Sequence, residues 1–132
     1  MLSYLHAYHA GNHADIIKHL ILSEVLRYLK IKDKPFTFFD THSGSGLYQI
    51  NDERAMKTGE VNDGILKLVQ DFNNENELIG NYLSCVQAYL EKGQYPGSPY
   101  IEADGLRKDD FLVLSELHPG EIENLKSLYN YL

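Results

Sequence analysis

Apolar positions along the chain fall into five helical runs and two short extended ones. Ile16, Leu20, Ile21, Val25, Leu26 and Leu29 recur at steps of three and four, the period of a helix with one core face. They predict a helix from His13 to Lys30, capped by Asn12. Two further sets, Val61, Ile65, Leu68, Val69 and Phe72, then Leu78, Ile79, Tyr82, Leu83, Val86 and Leu90, predict helices parted at Asn73-Asn74. The second of them ends at Gly93. Ser98 before Pro99 reads as an N-cap and first helical residue, starting a short helix that closes at Gly105. Pro119 opens a last helix with Ile122, Leu125, Leu128, Tyr129 and Leu132 on one side.

The extended runs carry the chemistry. Phe36-Thr37-Phe38-Phe39-Asp40, after Pro35, is aromatic and β-branched as a buried strand prefers, and it leads into Thr41-His42-Ser43-Gly44-Ser45-Gly46. Gly44 and Gly46 remove side chains that would keep a backbone from a ligand, at the strand end where open α/β sheets bind cofactors. A P-loop is excluded because Leu47 and Tyr48 stand where Lys and Ser/Thr are required. A dinucleotide fingerprint is incomplete because Gln49 replaces its third glycine, which disfavours a nicotinamide-dependent oxidoreductase. A Gly-x-Gly corner can also be a turn that binds nothing. Asp40 at the strand end favours a ligand, since an acid followed by glycines resembles S-adenosylmethionine methyltransferases, whose cofactor has no pyrophosphate.

Phe111 to Glu116 is the second buried strand, and Glu116 sits where a carboxylate commonly accepts hydrogen bonds from a ribose diol. The competing reading is a surface acid at a strand end. The separation from the glycine loop is far too long for a plain β-α-β crossover. An α/β core over 1–48 and 94–132, interrupted by a helical subdomain over 49–93, accounts for the excess.

Composition narrows the setting. A chain of 132 residues makes one small domain with a real core. No run approaches the roughly 18 apolar residues of a membrane span, and the start lacks the features of a signal peptide, so a cytoplasmic protein is expected. The single cysteine, Cys85, falls in an apolar helical pattern and reads as a small core residue. Net charge is −7, which opposes nucleic-acid binding, yet the acidity is uneven: seven Lys/Arg face six Asp/Glu up to Lys57, and five face thirteen beyond it. Lys18, Arg27, Lys30, Lys32 and Lys34 form the basic stretch, suited either to a solvated helix end or to RNA contact.

Tyr4, His6, Tyr8, His9, His13 and His19 crowd the amino-terminal segment. Without cysteines, and with Gly11 interrupting, their spacing is a poor zinc site, and no metal is expected. Beside Lys18 they suit stacking on an extruded base; packing of the rings on the core is the alternative that periodicity supports.

Taken in order, His9-Ala10-Gly11-Asn12-His13-Ala14-Asp15, Lys18-His19, Lys32-Asp33-Lys34-Pro35-Phe36, Asp40 to Gly46, Tyr95-Pro96-Gly97-Ser98-Pro99 and Glu116-Leu117-His118-Pro119, with Met1 to Tyr4, resemble the ribosomal RNA large subunit methyltransferase J family. That family transfers a methyl group from S-adenosylmethionine to N6 of an adenine in 23S rRNA. The resemblance implies cofactor contacts at His19, His42, Ser98 and Glu116, beside Asp40, Gly44 and Gly46, and substrate-side roles for Tyr4, His6 and Lys18. It also implies a Rossmann-like methyltransferase core with an inserted helical subdomain.

The chain departs from the family in one respect. Members are much longer and carry an Asp-Pro-Pro-Tyr catalytic loop, whereas Pro35, Pro96, Pro99 and Pro119 are all isolated here. The expectation is therefore the amino-terminal part of such an enzyme, a core incomplete at its carboxyl end and inactive alone, with apolar sheet faces and edges left exposed. The alternative is a non-catalytic nucleotide-binding or interaction module.

Overall fold

The computed structural model describes residues 4–73 and 75–129. Along the chain run a single 3-10 turn (His6–Tyr8), α1 (His13–Leu29), β1 (Thr37–Asp40), β2 (Leu47–Gln49), α2 (Glu53–Thr58), α3 (Glu60–Asp63), α4 (Ile65–Asp71), α5 (Glu77–Leu90), β3 (Gln94–Pro96), α6 (Ser98–Gly105), β4 (Phe111–Leu114) and α7 (Pro119–Tyr129). The chain divides into two compact units. The first takes the described residues up to Ile21 with Tyr48–Tyr95, and the second takes Leu22–Leu47 with the described residues from Pro96. Expectations for Asn74 and Leu132 fall outside the described residues.

In the second unit β1 and β4 are parallel, with Thr37 opposite Phe111 and Asp40 opposite Leu114. An arginine and an aspartate clamp their leading ends together. Arg107 donates to the Asp110 carboxylate and to the carbonyls of Lys32 and Lys34, while Asp110 accepts the Phe36 amide at 3.1 Å. The Arg107 guanidinium also lies over the Phe36 ring. Its hydrogen bond and charge, against a smaller opposing effect of burial, hold the Asp110 carboxyl down at about 2.

Neither strand is buried on both sides, a correction to the expectation of two buried strands. Phe39 and Phe111 are exposed on one face, and Phe38, Leu112 and Leu114 are half-buried on the other. A second two-stranded sheet, β2 with β3, was not expected from the sequence. Three-residue strands carry too little alternation to register as a pattern.

In the first unit the single helix expected over Val61 to Phe72 is two, α3 and α4, broken at Gly64. A Cβ there would stand 2.0 Å from the Gly11 carbonyl oxygen, so only glycine allows the backbones this close. The approach lets the Ile65 amide donate to that carbonyl at 2.8 Å. Asn76 caps α5 by accepting from the Ile79 amide. Ile65, Tyr82, Val86 and Tyr95 form the most buried part of this unit.

The expected core face of α1 is rotated in the structure. Asp15, His19 and Leu26 are its fully buried positions, while Ile17, Ile21, Val25 and Tyr28, spaced along one stripe, are exposed. Apolar residues occupy more than one side of this helix, so periodicity alone did not identify the side that packs.

Candidate functional site

The carboxyl ends of β1 and β4 lie side by side, and each continues into a segment rich in polar groups. Leaving β1, the Ser43 amide donates to the Ser115 carbonyl, and the Ser115 amide returns the bond to the Asp40 carbonyl, extending the ladder past the strands. The Ser43 hydroxyl donates to the Asp40 carbonyl as well. The chain then turns through Gly44 and Gly46, both at positive φ. At Gly46 a side chain would also press on Leu125 at 3.1 Å.

Two acids organise this loop. Asp40 accepts the His42 amide on one carboxylate oxygen, at 3.0 Å, and the Ser98 hydroxyl on the other, at 2.6 Å. Ser98 was expected to be the N-cap of α6; Gly97 holds that position instead, freeing the Ser98 side chain for Asp40. Glu116 accepts the Gly44 amide at 2.7 Å and the His118 amide at 2.9 Å, one on each oxygen. A carboxylate offers about four lone-pair positions, so Glu116 keeps capacity for two more donors, as a ribose diol would supply. The His42 ring is exposed and shares a hydrogen bond with the Thr41 hydroxyl.

A third acid, Glu121, escaped sequence reasoning. It is buried and accepts the Ser45 hydroxyl at 2.7 Å, while Asn124 donates to that same hydroxyl. The signal was available: Glu121 stands four residues before the buried Leu125, on the same side of α7.

Asp40, His42, Gly44, Gly46, Ser98 and Glu116 are thus gathered in the second unit. His19, Tyr4, His6 and Lys18 belong to the first. There His19 is fully buried, stacks on Tyr95 and shares a 2.8 Å hydrogen bond with its hydroxyl, which in turn meets the Tyr82 hydroxyl at 2.7 Å. Burial pushes both tyrosine hydroxyls well above the ordinary range.

Buried Asp15 is the hub of the remaining group. It accepts the Gly11 amide, lies 2.7 Å from His6 Nε2 and sits 3.8 Å from the Lys18 ammonium. Burial, the largest single effect, would raise its carboxyl, but the hydrogen bonds from His6 and the Gly11 amide and the charges of His6 and His19 together outweigh it and hold the group below the usual range. Tyr4 is exposed, stacks on His9 at 5.4 Å and hydrogen-bonds His6 Nδ1 at 2.6 Å. His9 in turn meets Glu60 at 2.9 Å, and the Asn12 side chain, which caps α1, donates to the same oxygen. Among the described residues no group of three or more His, Cys, Asp or Glu could hold a metal ion. No helix among them is long and apolar enough to cross a membrane.

Comparison with known proteins gives concordant matches. Residues 33–130 match the family described as Ribosomal RNA large subunit methyltransferase D, RlmJ. The chain is 46% identical over 130 residues to Ribosomal RNA large subunit methyltransferase J of Escherichia coli (strain K12), covering 96% of this chain and 46% of that protein. The protein of the same name from Haemophilus influenzae is 41% identical over 134 residues, with 98% and 47% covered. A crystal structure of a Legionella pneumophila protein superposes with a TM-score of 0.80 at 42% identity, over 89% of this chain and 44% of that one. The chain therefore spans about half the length of the curated relatives it matches.

Proposed function

Because the chain belongs to the RlmJ family of ribosomal RNA large subunit methyltransferases, with an incomplete α/β methyltransferase fold, we propose that it forms the S-adenosylmethionine-binding part of an enzyme that methylates N6 of an adenine in 23S rRNA in the cytoplasm. In this reading the Rossmann-like core comprises 1–48 and 94–132, and the helices of 49–93 are an inserted subdomain. The observation that carries the proposal is the Glu116 carboxylate, fixed by the Gly44 amide at the ends of two parallel strands with lone pairs to spare.

The residues present fit the cofactor. S-Adenosylmethionine, when bound, supplies a methyl group on a sulfonium. Glu116 would accept the ribose hydroxyls, Gly44 and Gly46 would leave room for close backbone approach, and Asp40 with Ser98 would hold the loop between strand and helix. His42 completes the proposed cofactor set within the second unit, while His19, buried in the first, is carried only by the family resemblance. Tyr4, His6 and Lys18 are the proposed RNA-facing group: an exposed ring, an imidazole tied to Asp15, and a cation for phosphate.

An exocyclic adenine nitrogen is a weak nucleophile, and methylation requires it to be held in line with the methyl group while its protons are hydrogen-bonded. The family's Asp-Pro-Pro-Tyr sequence, which would do this, does not occur in the chain. We therefore expect cofactor binding without turnover, and a non-catalytic nucleotide-binding module is the second reading. Isothermal titration with S-adenosylmethionine and incubation of RNA fragments with methyl-labelled cofactor test both. Heat of binding with no label transferred is expected. No binding by the folded chain removes the cofactor assignment, and label above a no-protein control removes the inactivity.

A further inference from the structure

Both ring nitrogens of His6 are engaged inside the protein. Nε2 lies 2.7 Å from the Asp15 carboxylate, Nδ1 lies 2.6 Å from the Tyr4 hydroxyl, and the ring meets Tyr48 edge to face. A carboxylate only accepts, so in the neutral imidazole the proton stands on Nε2 and Nδ1 is the acceptor. The Tyr4 hydroxyl therefore donates inward. Behind its ring lies the His9 ring, 8° from parallel, which Glu60 holds at 2.9 Å. One face of Tyr4 is thus backed and its hydroxyl is tied, yet the residue remains 63% exposed. Asp15 anchors this arrangement. It is buried, the oxygen that meets His6 also accepts the Gly11 amide at 2.9 Å, and its other oxygen stands 3.8 Å from the exposed Lys18 ammonium. One buried carboxylate is thus tied to an aromatic platform and to a cation, the two groups that a base and its phosphate require.

We propose that Asp15, His6, His9 and Glu60 are positioning residues that preset the Tyr4 ring as a one-sided stacking platform for an unpaired RNA base, and that His6, with both nitrogens engaged, acts through Tyr4 rather than on RNA. The inference rests on the RNA-facing role proposed above for this segment and divides that role among its residues. A ring already held by its hydroxyl and by one face loses little rotamer freedom when a base settles on the other face, so less of the stacking energy is offset by ordering.

To test it, the full chain is titrated with two labelled RNA pentamers, oligoadenylate and its abasic counterpart, with S-adenosylhomocysteine in excess to keep adenine out of the cofactor loop. The ratio of the two affinities isolates the contribution of the bases from that of the phosphates. The parent should favour the intact pentamer, and Tyr4→Ala should lower the ratio about fivefold or more. His6→Phe, which keeps a ring against Tyr48, and Glu60→Ala, at a partly exposed position, should each lower it about two- to tenfold. Long-range proton-nitrogen spectra of the histidine-labelled chain give a signature that mere packing would not move. The His6 signal, identified by its loss in His6→Phe, should show the proton on Nε2, keep it there in Asp15→Asn, whose side-chain oxygen still accepts, and lose that preference in Asp15→Ala. A neutral His6 with its proton on Nδ1, or a ratio that Tyr4→Ala lowers while His6→Phe and Glu60→Ala both leave it untouched, overturns the positioning and leaves Tyr4 facing RNA. A parent ratio of one, or one that survives Tyr4→Ala, overturns the platform and the RNA-facing role together.

Discussion

Glu116→Ala separates the role the geometry gives this carboxylate, holding the loop amides, from the role proposed for it, accepting a ribose diol. Its oxygens hold the Gly44 and His118 amides at 2.7 and 2.9 Å. Hydrogen bonds to charged groups contribute about 1.5–3 kcal/mol each when shielded. Glu116 is half-buried, so water compensates part of each loss, and about 1 kcal/mol apiece is the reasonable figure. Losing both costs about 2 kcal/mol, which at a urea m-value of about 2 kcal/mol/M lowers the unfolding midpoint by about 1 M. Affinity for S-adenosylmethionine should fall separately, by about 1–3 kcal/mol for the lost ribose bonds, read by calorimetry in conditions where both proteins are folded. Glu116→Gln keeps the shape and one acceptor, and is expected to fall between the parent and the alanine variant in both measurements. An unchanged urea midpoint would refute the argument that Glu116 ties down the loop. Unchanged affinity would make it an ordinary strand-end acid.

Gly64→Ala must displace backbone at Gly11 and break the Ile65 amide bond, so a loss of about 2–4 kcal/mol in urea unfolding is expected. Gly93→Ala has open space and only its positive φ to overcome, about 1 kcal/mol, and an equal loss at both sites would contradict the contact argument. The folded carboxyl of Asp110 titrates at about 2, below its ordinary 3.8, so its stabilisation is present above about pH 4 and is lost as pH falls toward 2. Asp110→Asn should remove that part of the acid slope in a urea midpoint series from pH 2 to 5; an unaltered slope counts against the clamp. Joined to the complementary portion of a relative, a chain carrying Tyr4→Ala should methylate RNA more slowly with cofactor affinity nearly unchanged, since base stacking is worth about 1–3 kcal/mol on the substrate side only. Lys18→Ala in the same background should reduce the salt dependence of RNA binding by about one phosphate contact.

What could be read from the sequence divides by the range of the forces involved. The Asn12 cap, the extents of α1, α5 and α6, and the two longer strands follow from local preference, and local preference is printed in a few neighbouring residues. Gly64 looked like an ordinary helix interior because the reason for it, the Gly11 carbonyl, lies far away in sequence. For the same reason α1 was assigned the wrong buried side. Its most buried line carries Asp15 and His19, whose partners His6 and Tyr95 satisfy them only in the folded unit. At the site, Asp40, the glycines and Glu116 stood out by residue type at strand ends. Spacing to Leu125 marks the side of α7 that carries Glu121, but its partner Ser45, like Ser98's partner Asp40, is distant in sequence, and no spacing rule announces either partner.

Phe36 and Asp110, joined by a hydrogen bond, stand 74 positions apart. Closing so long a flexible loop costs about 4 kcal/mol beyond a length-independent constant, due before the parallel pair returns anything. The short β2–β3 ladder changes that sum. Once Leu47–Gln49 lies against Gln94–Pro96, the chain between them is already gathered, and the segments left to close run only from Asp40 to Leu47 and from Pro96 to Phe111. A chain emerging from the ribosome can complete this ladder and the helices it encloses before Glu116 and Glu121 have been made. The glycine loop, synthesised early, then waits for those two acids to give Gly44 and Ser45 their partners. Loop-closure cost therefore favours assembly from the enclosed helices outward, with the glycine loop completed only once Glu116 and Glu121 join it.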